Sequence, residues 1–159
     1  MPHIKLITKI NAPVERCFDL SRSIDLHKIS TSQSNEEAIA GVTTGLIGLN
    51  EFVTWRAKHF GIWQRLTSKI TAYEPSSLFV DEMTEGAFKS MHHTHRFDFK
   101  DGVTTMIDDF IFESPFGILG RLANNIILTS YLTKLLMTRN NIIKEYAESD
   151  LWKKVLYLR

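Results

Sequence analysis

The C-terminal third of the chain holds the feature that most constrains its fold. Leu119 to Ala147 contains no proline and, after Gly120, no glycine. Such a segment can form one continuous helix of about eight turns. Apolar residues recur along it at three- and four-residue spacing, so they share one broad face that must be buried against another element. These residues are Leu128, Tyr131, Leu132, Leu135, Ile142, Ile143 and Tyr146, while Asn140, Asn141, Lys144 and Glu145 lie on the opposite, polar face.

The segments before this helix predict strands and two short helices. His3 to Ile10 alternates between two faces and is rich in β-branched residues, which favours a strand. Pro13 suits the first turn of a helix over Val14 to Leu20, and Ser23 suits the cap of a second helix over Ile24 to Ile29. Alternation returns further along, with Lys100-Asp101-Gly102 as a hairpin turn and Ser114-Pro115-Phe116-Gly117 ending the sheet. Those predicted strands span 51–60, 63–73, 78–84, 88–99 and 103–113.

This order of elements predicts an α+β helix-grip fold. About six to seven antiparallel strands would form a curved sheet wrapped around the long C-terminal α-helix, with two short helices after the first strand. One helix cannot fill the concave side of such a sheet, so we expect a cavity between sheet and helix. Residues 1–148 would form this domain, and 149–159 an amphipathic tail.

Composition excludes several classes of function. The chain has 159 residues, which suits one domain, and a net charge of +1 from 19 basic and 18 acidic residues. No strong field is present to attract nucleic acid, so no nucleic-acid partner is expected. The longest apolar stretch, from Ile126 to Met137, is too short and too polar for a transmembrane segment. Cys17, the only cysteine, fits a small core residue. We expect a cytoplasmic protein without a cofactor.

Several segments resemble the SRPBCC superfamily, which includes START lipid-transfer domains, pollen-allergen proteins and polyketide cyclase-like proteins. The opening Ile10-Asn11-Ala12-Pro13-Val14-Glu15 is similar to the superfamily's strand-then-helix start. The resemblance implies binding of an apolar or amphipathic ligand in the cavity but no single reaction. Further segments resemble an uncharacterised bacterial subgroup: Glu51-Phe52-Val53-Thr54-Trp55-Arg56-Ala57, Lys69-Ile70-Thr71, Phe79-Val80-Asp81-Glu82-Met83, His93-Thr94-His95-Arg96-Phe97 and Ser114-Pro115-Phe116-Gly117-Ile118-Leu119-Gly120.

The two-residue period assigns a face to each strand side chain. The solvent-exposed side of one strand is marked by the charged residues Arg96, Asp98 and Lys100. The alternate residues of that strand should therefore face the cavity: His93, His95, Phe97 and Phe99. The other strands alternate in the same way and, together with the apolar face of the long helix, predict a ligand-binding set. It comprises Glu51, Trp55, His59, Phe79, Asp81, Met83, His93, His95, Phe97, Met106, Asp108, Phe110, Tyr131, Leu135 and Arg139.

Several of these inward residues are ionisable and must pair or bind something, because an unpaired buried charge is costly. The simplest pairing joins His93 or His95 to Asp108 or Asp81, and Arg139 can reach an inward carboxylate from the helix. The imidazoles can be structural, contact a ligand, or act as acid and base near neutral pH. The motif His-X-His also suits a metal, but the spacing fixes no third ligand, and no metal site is predicted.

Three functions are compatible with the sequence. The chain has no nucleophile elbow, phosphate loop, dinucleotide fingerprint or paired Cys-X-X-Cys. The first hypothesis is a binding module whose partner is a small apolar or amphipathic molecule. The second is an enzyme of cyclase, dehydratase or hydrolase type, with His93, His95, Asp108 and Asp81 as catalytic candidates. The third is a regulator that binds a protein partner through its surface, using the tail from Leu151 to Leu158. The oligomeric state is left open.

Overall fold

The computed structural model describes residues 1–114 and 121–157, and these adopt the predicted order of elements. Two short helices follow the first strand, and a long helix follows the last one. The predicted end of the sheet at Pro115-Phe116-Gly117 and the predicted helix start at Leu119 lie outside the described residues. The elements are β1 (His3–Ile10), α1 (Val14–Ser21), α2 (Ile24–Ser30), a 3-10 turn (Ser32–Ser34), β2 (Glu37–Gly41), β3 (Phe52–His59), β4 (Ile62–Glu74), β5 (Leu78–Gly86), β6 (Ser90–Lys100), β7 (Val103–Glu113), α3 (Arg121–Glu148) and α4 (Trp152–Leu156).

Within the described residues, seven strands form one antiparallel sheet in the order β1-β7-β6-β5-β4-β3-β2. The β6–β7 hairpin is closed by the pair Lys100 and Val103, with Asp101 and Gly102 at φ 52° and 80° between them. Both turn residues lie in the left-handed region that a two-residue hairpin with matching twist requires. The sheet curves around α3, so the predicted α+β helix-grip fold is confirmed.

Helices α1 and α2 close one end of the sheet. The Ser23 hydroxyl accepts a hydrogen bond of 3.2 Å from the Leu26 backbone N–H, so the predicted cap of α2 is present. Phe18 of α1 is buried edge-to-face against Tyr73, Phe79 and Phe97, with ring centroids 5.4, 5.6 and 5.3 Å away. This aromatic group fixes α1 to β4, β5 and β6. Cys17 is buried beside it as a free thiol, as expected.

Two side chains face the opposite way from the prediction. The helical pattern places Asn140 on the polar face of the long helix with Asn141, but it is buried at 2% exposure. It follows Arg139, and both project toward the sheet, because the buried stripe of α3 is wider at that point than the apolar pattern indicates. The strand pattern places Phe99 inside, but it is 48% exposed, since it lies at the hairpin end of β6, beyond the helices.

The described part of the tail packs on its own domain. Trp152, Val155 and Leu156 of α4 pack against the main core cluster, and the Arg16 guanidinium lies 4.3 Å from the centre of the Trp152 ring. These side chains are only partly buried, and Leu158 lies outside the described residues, so the partner-binding tail stays a prediction. No helix in the described part of the chain combines the length and apolar character needed to cross a bilayer.

Candidate functional site

A cavity of about 890 Å³ lies between the sheet and α3, and it is the candidate site. Its wall is mainly apolar, with side chains from α2, from strands β3 to β7 and from α3. Side chains of period two on the strands meet the apolar face of the helix there, as the sequence predicts. Ten of the predicted residues lie on this wall: Trp55, His59, Phe79, Asp81, His93, His95, Phe110, Tyr131, Leu135 and Arg139.

Three of the other predicted residues are inward but are not on the wall. Phe97 and Met106 belong to the core under α1, where the Ser21 hydroxyl lies 3.3 Å from the Met106 sulfur. Asp108 is fully buried behind His93 and His95. These side chains do point inward, but the strand pattern does not specify which helix covers each of them.

The remaining two predicted residues, Glu51 and Met83, do not line the cavity, so their predicted positions are corrected here. Glu51 is exposed, because β3 begins one residue later; its carboxylate accepts a 2.7 Å hydrogen bond from the Gly48 backbone N–H and closes a turn. Met83 packs partly buried against the cluster around Phe112 rather than on the cavity wall. The register of β4 with β5 shifts beside it, since Ser68 pairs with Met83 and Thr67 with Glu85. A bulge of this kind re-aims neighbouring side chains.

Asp108 is the centre of a buried polar cluster. His93 Nε2 donates to Asp108 Oδ1 at 3.0 Å, and His95 Nδ1 lies 2.8 Å from the same oxygen. Asn140 Nδ2 donates to the other oxygen, Oδ2, at 2.7 Å, and Arg139 Nη1 lies 3.6 Å from Oδ1. The structure thus contains the predicted pairing of imidazole with carboxylate and the predicted approach of Arg139, and it adds Asn140, for which the helical pattern predicts a place in solvent.

Burial and contacts set the charges of this cluster. Burial alone would raise the pKa of Asp108, but the hydrogen bonds from His93 and His95 hold it well below its ordinary value. Burial, together with repulsion from His93, moves the pKa of His95 well below its ordinary value. Asp108 is therefore an anion facing the cation Arg139, and His95 is neutral at physiological pH. Arg139 Nη2 also donates 2.7 Å to the Ser21 carbonyl oxygen, which fixes the side chain to the end of α1.

Asp81 lies on the adjacent strand, directly opposite His93 in the β5–β6 register. Burial raises the pKa of Asp81, and the nearby Ser68 hydroxyl and His93 offset only part of that effect. Asp81 Oδ1 has no hydrogen-bond partner among the described residues. Asp81 therefore keeps its proton to a higher pH than an exposed aspartate does.

This position gives a stability prediction with a defined sign. Because the folded-state pKa of Asp81 is raised, its charged form opposes folding above the ordinary pKa of 3.8, and the penalty vanishes as the pH falls below that value. We expect Asp81→Asn to stabilise the fold by about 1 kcal/mol at pH 8 and to lose this advantage near pH 3.5. Chemical denaturation at both pH values measures it, with exposed Asp98→Asn as the control. A loss of stability at pH 8 would contradict it.

A second polar group lies at the α2 side of the cavity. His27 Nε2 is 3.1 Å from Glu36 Oε1, and the His27 ring stacks on Trp55 with centroids 4.2 Å apart. Burial would raise the pKa of Glu36, but attraction to His27 lowers it. His59 Nδ1 and the Tyr131 hydroxyl are 2.8 Å apart nearby. Sequence reasoning missed His27 and Glu36, because neither lies in an alternating strand and Glu36 lies outside every predicted helix and strand.

His93, His95 and Asp108 also satisfy the distances of a metal group, since one potential ligand atom of each lies within 4.8 Å of the others. Two observations oppose a divalent cation there. The Arg139 guanidinium is 3.6 Å from the Asp108 oxygen that would bind the metal, and that oxygen already contacts both imidazoles. Repulsion between a buried guanidinium and a second cation is strong at this range. The arrangement is best described as a charged hydrogen-bond network.

No family model and no curated protein sequence matches the chain. Several solved structures do match. A START superfamily protein from Mycobacterium smegmatis matches at a TM-score of 0.69 and 9% identity, and the match covers 92% of this chain and 97% of the other. The ZhuI aromatase/cyclase from Streptomyces matches at TM-score 0.70 and 14% identity, over 94% of this chain and 95% of the other. A major latex-like protein from Panax ginseng matches at 0.66 and 16%, over 93% and 98%. The chain therefore shares the fold of these three proteins.

Proposed function

We propose that this protein binds a small, mainly apolar molecule in the cavity between the sheet and α3. The observation that carries the proposal is the cavity itself: at about 890 Å³ it lies in the range of small-molecule sites, and its wall is apolar except for a few convergent polar groups. Apolar side chains on opposite walls, such as Val53 and Ile70 of the sheet and Leu132 of α3, would enclose the apolar part of the ligand. A START-like fold is compatible with this use.

The opening of the cavity supports the same function. Phe60 and Ile62, at the tip of the β3–β4 hairpin, line the cavity and are 59% and 65% exposed. Ile127 of α3 also lines it and is 58% exposed. Large apolar side chains are seldom grouped in solvent unless they contact something apolar. We infer that the ligand enters between the hairpin tip and α3.

Narrowing the cavity should weaken binding without unfolding the protein. Ala57 of β3 is buried on the wall, so Ala57→Trp would place an indole in the space that the ligand occupies. With the uncharged fluorescent probe N-phenylnaphthylamine, we expect the affinity to fall at least about tenfold, while the melting temperature stays within a few degrees. Ala40→Trp on the exposed edge strand β2 is the matched control and should bind as the wild type does. Equal affinity of Ala57→Trp and Ala40→Trp would refute the proposed site.

Native mass spectrometry of protein purified from its own host identifies the ligand class directly. We expect a small molecule to co-purify with the wild-type protein and with Ala40→Trp, but not with Ala57→Trp. A wild-type protein that carries no small molecule and shows no thermal shift with a broad set of apolar metabolites would contradict the proposal.

A second candidate function, acid–base catalysis on the bound molecule, is favoured by one specific arrangement. His93 is on the cavity wall, is oriented by its 3.0 Å hydrogen bond to Asp108, and faces Asp81 across the β5–β6 pair. A base oriented by one carboxyl group and close to another, protonatable one can move protons on a substrate. This function predicts that fresh protein converts the co-purifying molecule's precursor and that His93→Gln does not. A molecule that leaves the cavity chemically unchanged would favour binding alone.

A further inference from the structure

Besides His95 Nδ1, which lies 2.8 Å from Asp108 Oδ1, three buried polar atoms of cavity-lining residues have no hydrogen-bond partner among the described residues. They are the Ser68 hydroxyl oxygen, Asp81 Oδ1 and Arg139 Nη1, from β4, β5 and α3 respectively. Ser68 is 1% exposed and Arg139 is 7% exposed. Buried polar groups are nearly always hydrogen-bonded, so three such atoms lining one cavity indicate a missing partner. We call these three residues the polar patch.

The members of the polar patch are neighbours. Asp81 lies opposite His93 in the sheet, and His93 donates to Asp108 at 3.0 Å. Arg139 Nη1 is 3.6 Å from Asp108 Oδ1, so the guanidinium and Asp81 both lie next to the His93–Asp108 pair. The Ser68 hydroxyl is close enough to Asp81 to lower its pKa against the effect of burial. Asp81 and Arg139 also interact electrostatically, so we place all three within reach of one functional group of a ligand.

The charges around the polar patch favour an uncharged ligand group. The cation Arg139 is already opposed by the anion Asp108, whose pKa the two imidazoles hold well below its ordinary value. An anionic head group would be repelled by Asp108 and by ionised Asp81. A cationic head group would be repelled by the buried Arg139. Desolvating either ion in this site would be costly without a free counter-charge.

Building on the proposed binding function, we infer that the ligand carries an uncharged hydroxyl group that hydrogen bonds to Ser68, Asp81 and Arg139. A hydroxyl has one donor and two acceptor positions. It would donate to Asp81 Oδ1 and accept from Arg139 Nη1 and the Ser68 hydroxyl, which satisfies all three atoms. The ligand class is then a mainly apolar alcohol or phenol, rather than a fatty acid or an amine.

Four phenanthrene derivatives that differ only in one substituent test this inference: phenanthrol, methylphenanthrene, phenanthrene carboxylate and aminomethylphenanthrene. Their affinities are measured by displacement of N-phenylnaphthylamine at pH 7.5. We expect phenanthrol to bind about tenfold more tightly than methylphenanthrene and than either ion, the difference made by hydrogen bonds to otherwise unpaired groups. Equal affinities of phenanthrol and methylphenanthrene, or tighter binding of the carboxylate or the amine, would overturn the inference.

Variants of the polar patch provide the second measurement. Ser68→Ala should weaken phenanthrol about three- to tenfold and leave methylphenanthrene unchanged, whereas Thr71→Ala, on the exposed side of the same strand, should change neither. Asp81→Leu serves the same purpose if Ser68→Ala does not fold. Unchanged phenanthrol affinity in the folded variant overturns the inference while the proposed function stands. If none of the four compounds displaces a bound probe, the inference fails while the proposed function stands. If the probe does not bind, the proposed function fails and the inference fails with it.

Discussion

Replacing Asp108 with asparagine is expected to destabilise the protein by about 3–5 kcal/mol, the range for removing one partner of a buried ion pair. Asp108 is fully buried, and Arg139 is 7% exposed. The substitution leaves the guanidinium buried without its anion and takes the charged acceptor from His93 and His95. Burial of the whole group keeps bulk solvent from compensating, so the loss is larger than that for a surface ion pair.

Urea unfolding at pH 7.5 measures this loss, and the chain supplies a matched control next to it. Asp109 is the following residue of β7, but its carboxylate faces the other side of the sheet and pairs with the 53% exposed Arg96 at 2.7 Å. Asp109→Asn should cost less than about 1 kcal/mol, as other surface pairs do. Equal effects of the two substitutions would show that Asp108 is not the centre of a buried charge network.

The acid dependence of the Asp108 effect is opposite in sign to that of Asp81. A carboxyl group whose folded-state pKa is lowered stabilises the fold above its ordinary pKa of 3.8, and this stabilisation is lost as the pH falls through the lowered value. The gap between wild type and Asp108→Asn should therefore stay constant from pH 8 to about pH 5 and close in stronger acid. The two responses differ because the imidazoles of His93 and His95 lower the pKa of Asp108, whereas burial outweighs the other contacts at Asp81.

The sequence predicted the interior side of the central strands well, because period-two alternation in β6 and β7 is marked by charged residues on the other face. The alternation of Arg96 and Asp98 with His95 and Phe97 leaves one choice of face for each strand. The errors lie at strand ends and bulges, where the period is interrupted. Glu51 precedes its strand, Phe99 lies beyond the helices, and Met83 lies beside a shift in register.

Contacts between distant elements were the part that sequence could not provide. The rotation of α3 about its axis determines that Asn140 reaches Asp108, and the apolar stripe alone left that rotation uncertain by about one residue. His27 and Glu36 meet across a turn in which Asn35 adopts φ 49°, and no periodic pattern extends through such a segment. Unpaired atoms such as Arg139 Nη1 depend on ångström-scale geometry that residue spacing does not contain.

Phe18→Ala is expected to cost about 3–5 kcal/mol, because it removes a buried ring and leaves a cavity that packed neighbours cannot fill completely. Phe18 is 2% exposed and makes edge-to-face contacts with Tyr73, Phe79 and Phe97. Aromatic pairs of this geometry add to the effect of burial. Phe99→Ala is the same chemical change at a 48% exposed position and should cost less than about 0.5 kcal/mol.

The loss at Phe18 should also reach the binding site. Phe79, one of its partners, stacks on His95 with ring centroids 4.1 Å apart, so loosening α1 frees one side of the imidazole that contacts Asp108. We therefore expect Phe18→Ala to broaden the ring NMR signals of His95 and to weaken probe binding under conditions in which the variant is still folded. A variant that loses stability while its His95 signals and probe affinity stay as in the wild type would show that α1 closes the fold without shaping the cavity.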